Sequence, residues 1–128
     1  MMKFTIEKEE KLKSKKLIEK LFEEGNRIKS FPLQLIYLPI DHAGRFPIKV
    51  GFSVPKRVIK LAVARNKIKR LMREVYRKNK YLFSENIKQQ YIFMLLYASN
   101  EEIKYVDLEI ALKKVCTKFL NKIQNEKN

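Results

Sequence analysis

YIFMLLY, Tyr91 to Tyr97, is seven residues without a charge, apolar at odd and even positions alike. So short an apolar run suits a strand better than a helix, and only a strand covered on both faces has apolar side chains on both. It predicts an interior strand, which needs a neighbour on each side and cover above and below. Working towards the N-terminus, Ile48, Val50, Phe52 and Val54 alternate with Lys49, Gly51 and Ser53, the period of a half-buried strand. Leu33 to Leu38 is branched and aromatic and sits between Pro32 and Pro39, which cannot donate to a ladder. It is a further strand. Asp41 to Phe46 has the Gly and charge content of a loop, so the strands on either side of it are expected to pair as a hairpin. An additional short strand is expected near Phe4 or Ile28.

Three segments have helical period. In Ser14 to Glu24, Leu17, Ile18, Leu21 and Phe22 share a face, Ser14 can cap the start, and Gly25 suits a left-handed stop. From Leu61 to about Lys80, Ala64, Ile68, Leu71, Met72 and Val75 form one stripe. Leu108, Leu112, Val115, Cys116, Phe119, Leu120 and Ile123 form another, with Asp107 or Ser99 as the starting cap. The order helix, strand, strand, helix, strand, helix describes a small sheet covered by helices. With 128 residues and no Gly, Ser and Pro-rich linker, one domain is expected, frayed at about 1–8 and 124–128.

The chain has 29 Lys and Arg against 14 Asp and Glu, a formal charge of +15, while 45% hydrophobic residues supply a core that a disordered chain lacks. No apolar run approaches the roughly 18 to 20 residues that span a bilayer, and the N-terminus is charged where a signal peptide is apolar, so a soluble cytoplasmic protein is expected. One Cys and one His exclude a zinc finger. Cys116 lies on an apolar stripe with no His nearby and reads as a packing residue, and His42 reads as a surface residue of a polar loop. The acidic pairs Glu9/Glu10, Glu23/Glu24 and Glu101/Glu102 read as solvated helix faces or first-turn acids, not as metal sites, because adjacent helical residues point apart. No catalytic residue and no metal site is expected.

The charge is focused. Lys56, Arg57, Lys60, Arg65, Lys67, Lys69, Arg70, Arg73, Arg77, Lys78 and Lys80 accompany a single acid, Glu74, in one segment that carries two thirds of the net charge. Arg65, Lys69, Arg73 and Arg77 recur every fourth residue, about 6 Å apart along the axis, a ridge of like charges that repel one another until phosphates arrive. Arg65 and Lys67 also stand in the first turns, where the helix dipole favours acids, and Asn66 adds an amide that donates and accepts. Free N–H groups, dipole and Arg side chains there make an anion site. The plain alternative, a solvated basic face, does not account for this concentration. A membrane-surface helix is disfavoured, since this one has no Trp or Phe to insert and its apolar stripe is needed by the sheet.

VGFSVPKRVIKLAVARNKIKRLMREVYR, Val50 to Arg77, resembles the protein component of bacterial ribonuclease P. The family's signature is an Arg-Asn-Arg triplet, then Ile-Lys-Arg-Leu and another Arg, after a strand ending in Gly-x-Ser-Val and a Lys-rich connection. Here those positions are Arg65, Asn66 and Lys67, then Ile68, Lys69, Arg70, Leu71 and Arg73, preceded by Gly51, Ser53, Val54, Lys56 and Arg57. The element order, the length and the LFEEG ending the first helix agree, so the resemblance spans most of residues 10–122.

It implies an α/β fold of the two-layer α+β kind, with a small four-stranded mixed sheet, three helices and a left-handed βαβ crossover carrying the basic helix. It further implies an RNA subunit that holds the active site and most of the Mg2+, and precursor tRNA as substrate, with no other protein and no membrane required. The protein would bind the 5′ leader in a cleft between the first helix and the sheet, strengthen Mg2+ binding to the RNA, and so assist endonucleolytic hydrolysis that yields the mature tRNA 5′ end. By matching, Arg65, Asn66, Lys67, Lys69, Arg70 and Arg73 face RNA, with Lys56, Arg57 and Lys60 extending the patch and Arg77 continuing the ridge. The leader cleft would hold Ile18, Phe22, Ile36 and Tyr37. Lys67 replaces the triplet's second Arg, which gives up the planar fork. Ile18 and Ile36 stand where aromatics are common, and strand alternation turns Tyr37 to the opposite face from Ile36. The competing function is a non-enzymatic nucleic-acid-binding module, ribosome-associated or DNA-packaging.

Overall fold

Tyr91–Tyr97 (β4) lies inside a four-stranded sheet of order β1-β2-β4-β3. The computed structural model describes residues 8–42 and 44–126. Its strands are β1 (Asn26–Ser30), β2 (Leu33–Pro39), β3 (Ile48–Ser53) and β4, and its helices are α1 (Lys15–Glu24), α2 (Ala62–Ser84) and α3 (Tyr105–Glu126). The sheet is mixed: β1 and β2 are antiparallel, β2 and β4 antiparallel, β3 and β4 parallel. The fold is α+β.

The hairpin expected between Leu33–Leu38 and Ile48–Val54 does not form. β4 inserts between them, Leu35 and Phe52 both standing opposite Leu95. The cause is burial on both faces: β4 leaves no side chain that tolerates an edge, whereas β3 carries Lys49 and Ser53, which do. β1 pairs with β2 instead, which makes Ile28 the site of the additional strand; Phe4 lies outside the described residues. Both sheet edges are blunted. Leu12 N donates to Val50 O at 2.9 Å along β3, and Lys118 Nζ donates to Lys29 O at 2.7 Å along β1.

Alternation sorts the core into two layers. Tyr37, Val50, Tyr91, Phe93 and Leu95 meet α2 and α3, while Ile36, Ile92 and Met94 meet Leu21 of α1 and Leu12. In the larger layer Phe119 of α3 packs edge-on against Tyr37, Tyr91 and Phe93 at centroid distances of 4.9, 5.2 and 5.1 Å, and Phe83 of α2 meets Phe93 at 5.4 Å. Such edge-to-face pairs each add about 0.5 to 1.5 kcal/mol beyond area burial.

Local signals differ in outcome. Ser14 caps α1, its Oγ accepting from Leu17 N at 3.3 Å. Gly25 ends α1 in extended backbone, φ −70° and ψ 152°, rather than in the left-handed turn expected. It is glycine for closeness, since a Cβ there would stand 2.4 Å from Leu21 O and 2.7 Å from Ile36 Cγ2. α3 starts at Tyr105, so Asp107 lies in its first turn rather than at the cap, and Ser99 Oγ accepts from Glu101 N in the preceding loop. The helix runs to Glu126.

Candidate nucleic-acid interface

The candidate surface begins where β3 ends. Val54 and Ile59 are buried and the N–H groups of Val58 and Ile59 close a turn on Pro55 O, so the connection is pinned from beneath. Lys56, Arg57 and Lys60 are left exposed above it. Arg65 completes the fixing: its Nη1 donates to Ile59 O at 3.0 Å and to Lys60 O at 2.7 Å, tying the first turn of α2 to the connection. Arg65 is half-buried and commits one guanidinium nitrogen to protein carbonyls, so it positions its neighbours as well as carrying charge.

α2 then presents its cations. A step of four residues turns the helix about 40° past a full circle, so the Arg65, Lys69, Arg73, Arg77 ridge winds outward from the buried edge rather than running straight. Lys69 is half-buried, Arg73 is exposed with its guanidinium 5.9 Å from the Phe52 ring centroid, and Asn66 and Arg70 are exposed on the outer face. Lys67 pairs with Glu102 at 3.4 Å on open surface, a contact typically worth less than about 1 kcal/mol. Arg77 forms a bidentate pair with Glu74, 2.6 Å from Nε to Oε2 and 2.8 Å from Nη2 to Oε1. That hydrogen bond is the main cause of a Glu74 carboxyl held below its ordinary value. Among the described residues, Lys56, Arg57, Lys60, Lys69, Arg70 and Arg73 form no ion pair with an acid.

The helix start is physically unfavourable in the isolated protein. Leu61 is the N-cap, no side chain caps the first turn, and no acid stands in it. A Leu there in place of Ser or Asp costs about 1 kcal/mol. Leu61 is 74% and Val63 82% exposed. Sequence reading passed over both, although Val63 lies opposite the buried stripe and the wheel would have shown it.

The expected leader cleft is only partly brought together. Ile36 and Tyr37 are both 0% exposed, on opposite faces of the sheet: Ile36 beneath α1 and Tyr37 in the aromatic layer. Neither can meet a base, and strand alternation is the reason for the split. Phe22, 42% exposed, and the half-buried Ile18 remain open on α1.

Residues away from this surface are accounted for by packing. Burial pushes the Cys116 thiol up to about 11, which leaves it inert as a nucleophile. His42, read as a surface residue, is half-buried and braces its loop: Nδ1 accepts from Gly44 N at 3.2 Å, and its own N donates to Gln90 Oε1 at 3.0 Å. Among the described residues no three His, Cys, Asp or Glu side chains gather as a metal site, and no helix is long and apolar enough to cross a membrane.

Comparison with known proteins places this geometry. The family model described as Ribonuclease P matches residues 6–120. The ribonuclease P protein component of Porphyromonas gingivalis is 31% identical over 115 residues, 87% of this chain and 83% of the relative. That of Chlorobaculum tepidum is 43% identical over 75 residues, 56% of this chain and about half (49%) of the relative's length. The solved ribonuclease P protein of Thermotoga maritima superposes with a TM-score of 0.67 at 19% identity, covering 85% of this chain and 96% of that one, a likeness of fold.

Proposed function

Since the chain belongs to the ribonuclease P protein family, we propose that it is the protein subunit of a ribonucleoprotein whose RNA subunit carries out endonucleolytic removal of the 5′ leader from precursor tRNA. The single observation that carries this beyond family membership is the set of cations along the first half of α2 and the connection before it that meet no acid among the described residues. Lys56, Arg57, Lys60, Lys69, Arg70 and Arg73 lie on and before the first half of α2 with no acid partner among the described residues, which is the electrostatic footprint of a bound polyanion. In this reading those side chains, with Asn66 and Lys67, bind the phosphates of the RNA subunit. Arg65 holds the connection so that they converge.

The protein supplies no chemistry of its own in this reading. Hydrolysis is assigned in this reading to the RNA and the Mg2+ it holds, as membership of the ribonuclease P protein family supports. Precursor tRNA is engaged through its leader along α1, where Phe22 is the one aromatic side chain of the four expected cleft residues open to a base. Tight specificity for leader sequence is not expected from a single exposed ring. The cytoplasm, where tRNA is made in bacteria, is the proposed place of action. Family membership weighs against the general nucleic-acid-binding module, which needs the basic helix but no catalytic RNA.

The test combines the purified protein with bacterial ribonuclease P RNA and precursor tRNA at low Mg2+. Stimulated cleavage at the mature 5′ end is expected. RNA that cleaves no faster with the protein than without it overturns the proposal.

A further inference from the structure

We propose that Phe52 is a positioning residue for RNA binding: its ring holds the Arg73 guanidinium over the end of β3, where a phosphate of the RNA meets it. The inference rests on the reading that the first half of α2 grips RNA, and it names an uncharged residue on which that grip depends. Six cations on and before this half of the helix meet no acid among the described residues. Of these six, Arg73 alone lies over an aromatic ring, its Cζ 5.9 Å from the Phe52 centroid. The ring is fixed from its other side. Alternation along β3 turns Val50 and Phe52 towards the layer shared with α2, and Tyr76, three residues after Arg73, meets Phe52 edge-on at 5.7 Å and 71°. Tyr76 is 2% exposed and cannot give way, while Phe52 is half-buried and keeps an outer side for a cation to cover.

The placement matters as much as the contact. Phe52 is the next-to-last residue of β3, from which the connection carrying Lys56, Arg57 and Lys60 departs. The ring therefore leans Arg73 off its helix towards those cations, whereas the exposed Arg70 has no ring to lie on. An exposed Arg samples many rotamers, and a phosphate that binds it must freeze them. A guanidinium already held on a ring has lost part of that freedom, and the attraction takes up none of its hydrogen-bond donors. They stay available for charge-assisted bonds to phosphate oxygens. Space-filling beside Tyr76 is a role that Leu serves as well, which separates packing from positioning by experiment.

The test is a cycle of Phe52→Leu and Arg73→Gln, singly and together, read by filter binding of the full-length folded proteins to in vitro transcribed bacterial ribonuclease P RNA. Phe52→Leu should weaken binding about threefold, the scale of an exposed cation–π contact. The slope of log K against log salt should not move, because no charge is removed. In the Arg73→Gln background the same substitution should leave affinity unchanged, and Phe52→Tyr, which keeps the ring, should bind as the parent does. In the parent without RNA, nuclear Overhauser contacts between the Phe52 ring and the Arg73 side chain are expected. Positioning is overturned by an equal loss in both backgrounds, which is what a purely structural ring gives, or by parental affinity in Phe52→Leu. A Phe52→Tyr protein that loses as much as Phe52→Leu, or a parent lacking the Overhauser contacts, overturns it too. A parent that keeps those contacts and shows no salt-dependent binding to the RNA overturns the ribonuclease P reading, and the role of Phe52 with it, a result distinct from the others.

Discussion

The two halves of α2 both carry cations and treat them differently: in the first only Lys67 meets an acid, Glu102 on open surface, while in the second most are paired. From Ala62 to Arg73 there are five, Arg65, Lys67, Lys69, Arg70 and Arg73, and no acid on the helix. From Glu74 to Ser84 there are three, and two of them are neutralised within the protein: Arg77 by Glu74, and Lys80 by Glu10 at 2.9 Å. The second half also carries the deepest packing, with Tyr76, Asn79 and Phe83 buried and Asn79 Nδ2 donating to Glu109 Oε2 on α3 at 2.9 Å. A cation near a core must be paired or it costs several kcal/mol, whereas one on an outward turn can wait for an external anion. What supports the first half as the proposed RNA surface is the absence of acids on that stretch of the helix, more than the number of bases.

That division has measurable edges, the largest on the packed side. Phe83→Ala removes a fully buried ring that touches Tyr76, Phe93 and Phe119, and should destabilise by about 3 to 5 kcal/mol in urea unfolding. RNA affinity, measured where the variant is still folded, should equal the parent's. A folded variant with weakened RNA binding would show that the two halves are not separable.

Next in size is Lys80, whose side chain is 15% exposed against Glu10 at 7%. Lys80→Met leaves the Glu10 carboxylate buried without this partner and should cost roughly 2 to 3 kcal/mol, somewhat below the loss typical of a fully buried pair. The slope of log K against log salt for RNA should not move, although a base has been deleted. A slope reduced by about one would place Lys80 with the first half after all.

This pair also shows what could be read from the sequence and what could not. Helix and strand positions followed from period alone, as with the stripe Ile68, Met72 and Val75, and the interior place of β4 followed from seven uncharged residues. Pairing order did not, because the choice between β2 meeting β3 and both meeting β4 is made by burial of the whole sheet, 38 residues after β3 ends. The same limit applies to charge. Glu74 and Arg77 are three apart and legible as a helical pair, but Glu10 and Lys80 are 70 residues apart, and only the fold brings them together. Tyr37 could be assigned to the far face by alternation, while the complete burial of Ile36 beneath α1 depends on the close approach at Gly25, which sequence reading took for a turn signal.

On the open side, Arg70→Gln should lower the salt slope for RNA by about one unit and weaken binding several-fold at low salt, with unfolding free energy within about 0.5 kcal/mol of the parent. Competition filter binding across a salt series reads the slope, and thermal unfolding reads the stability. An unchanged slope would mean that Arg70 does not meet a phosphate, and the contrast between the halves would lose its functional meaning.

The smallest effect lies at the boundary itself. Glu74→Gln removes the carboxylate that holds Arg77, which should turn a second-half cation into a first-half one and raise the salt slope for RNA by up to about one unit at neutral pH. The same variant reports through stability. Because the hydrogen bond from Arg77 lowers the Glu74 pKa in the folded protein, the pair stabilises the parent above the unfolded value of about 4.5, and that advantage is lost as pH falls through the lowered value. Glu74→Gln has no such group to titrate, so the difference in melting temperature between parent and variant should be small at pH 7 and close towards zero well below pH 4.5. The pair is open to solvent, and salt should shrink the difference as well. A gap that persists at low pH would mean that the substitution disturbs the helix for a reason other than charge, and any gain in RNA binding could then not be credited to Arg77.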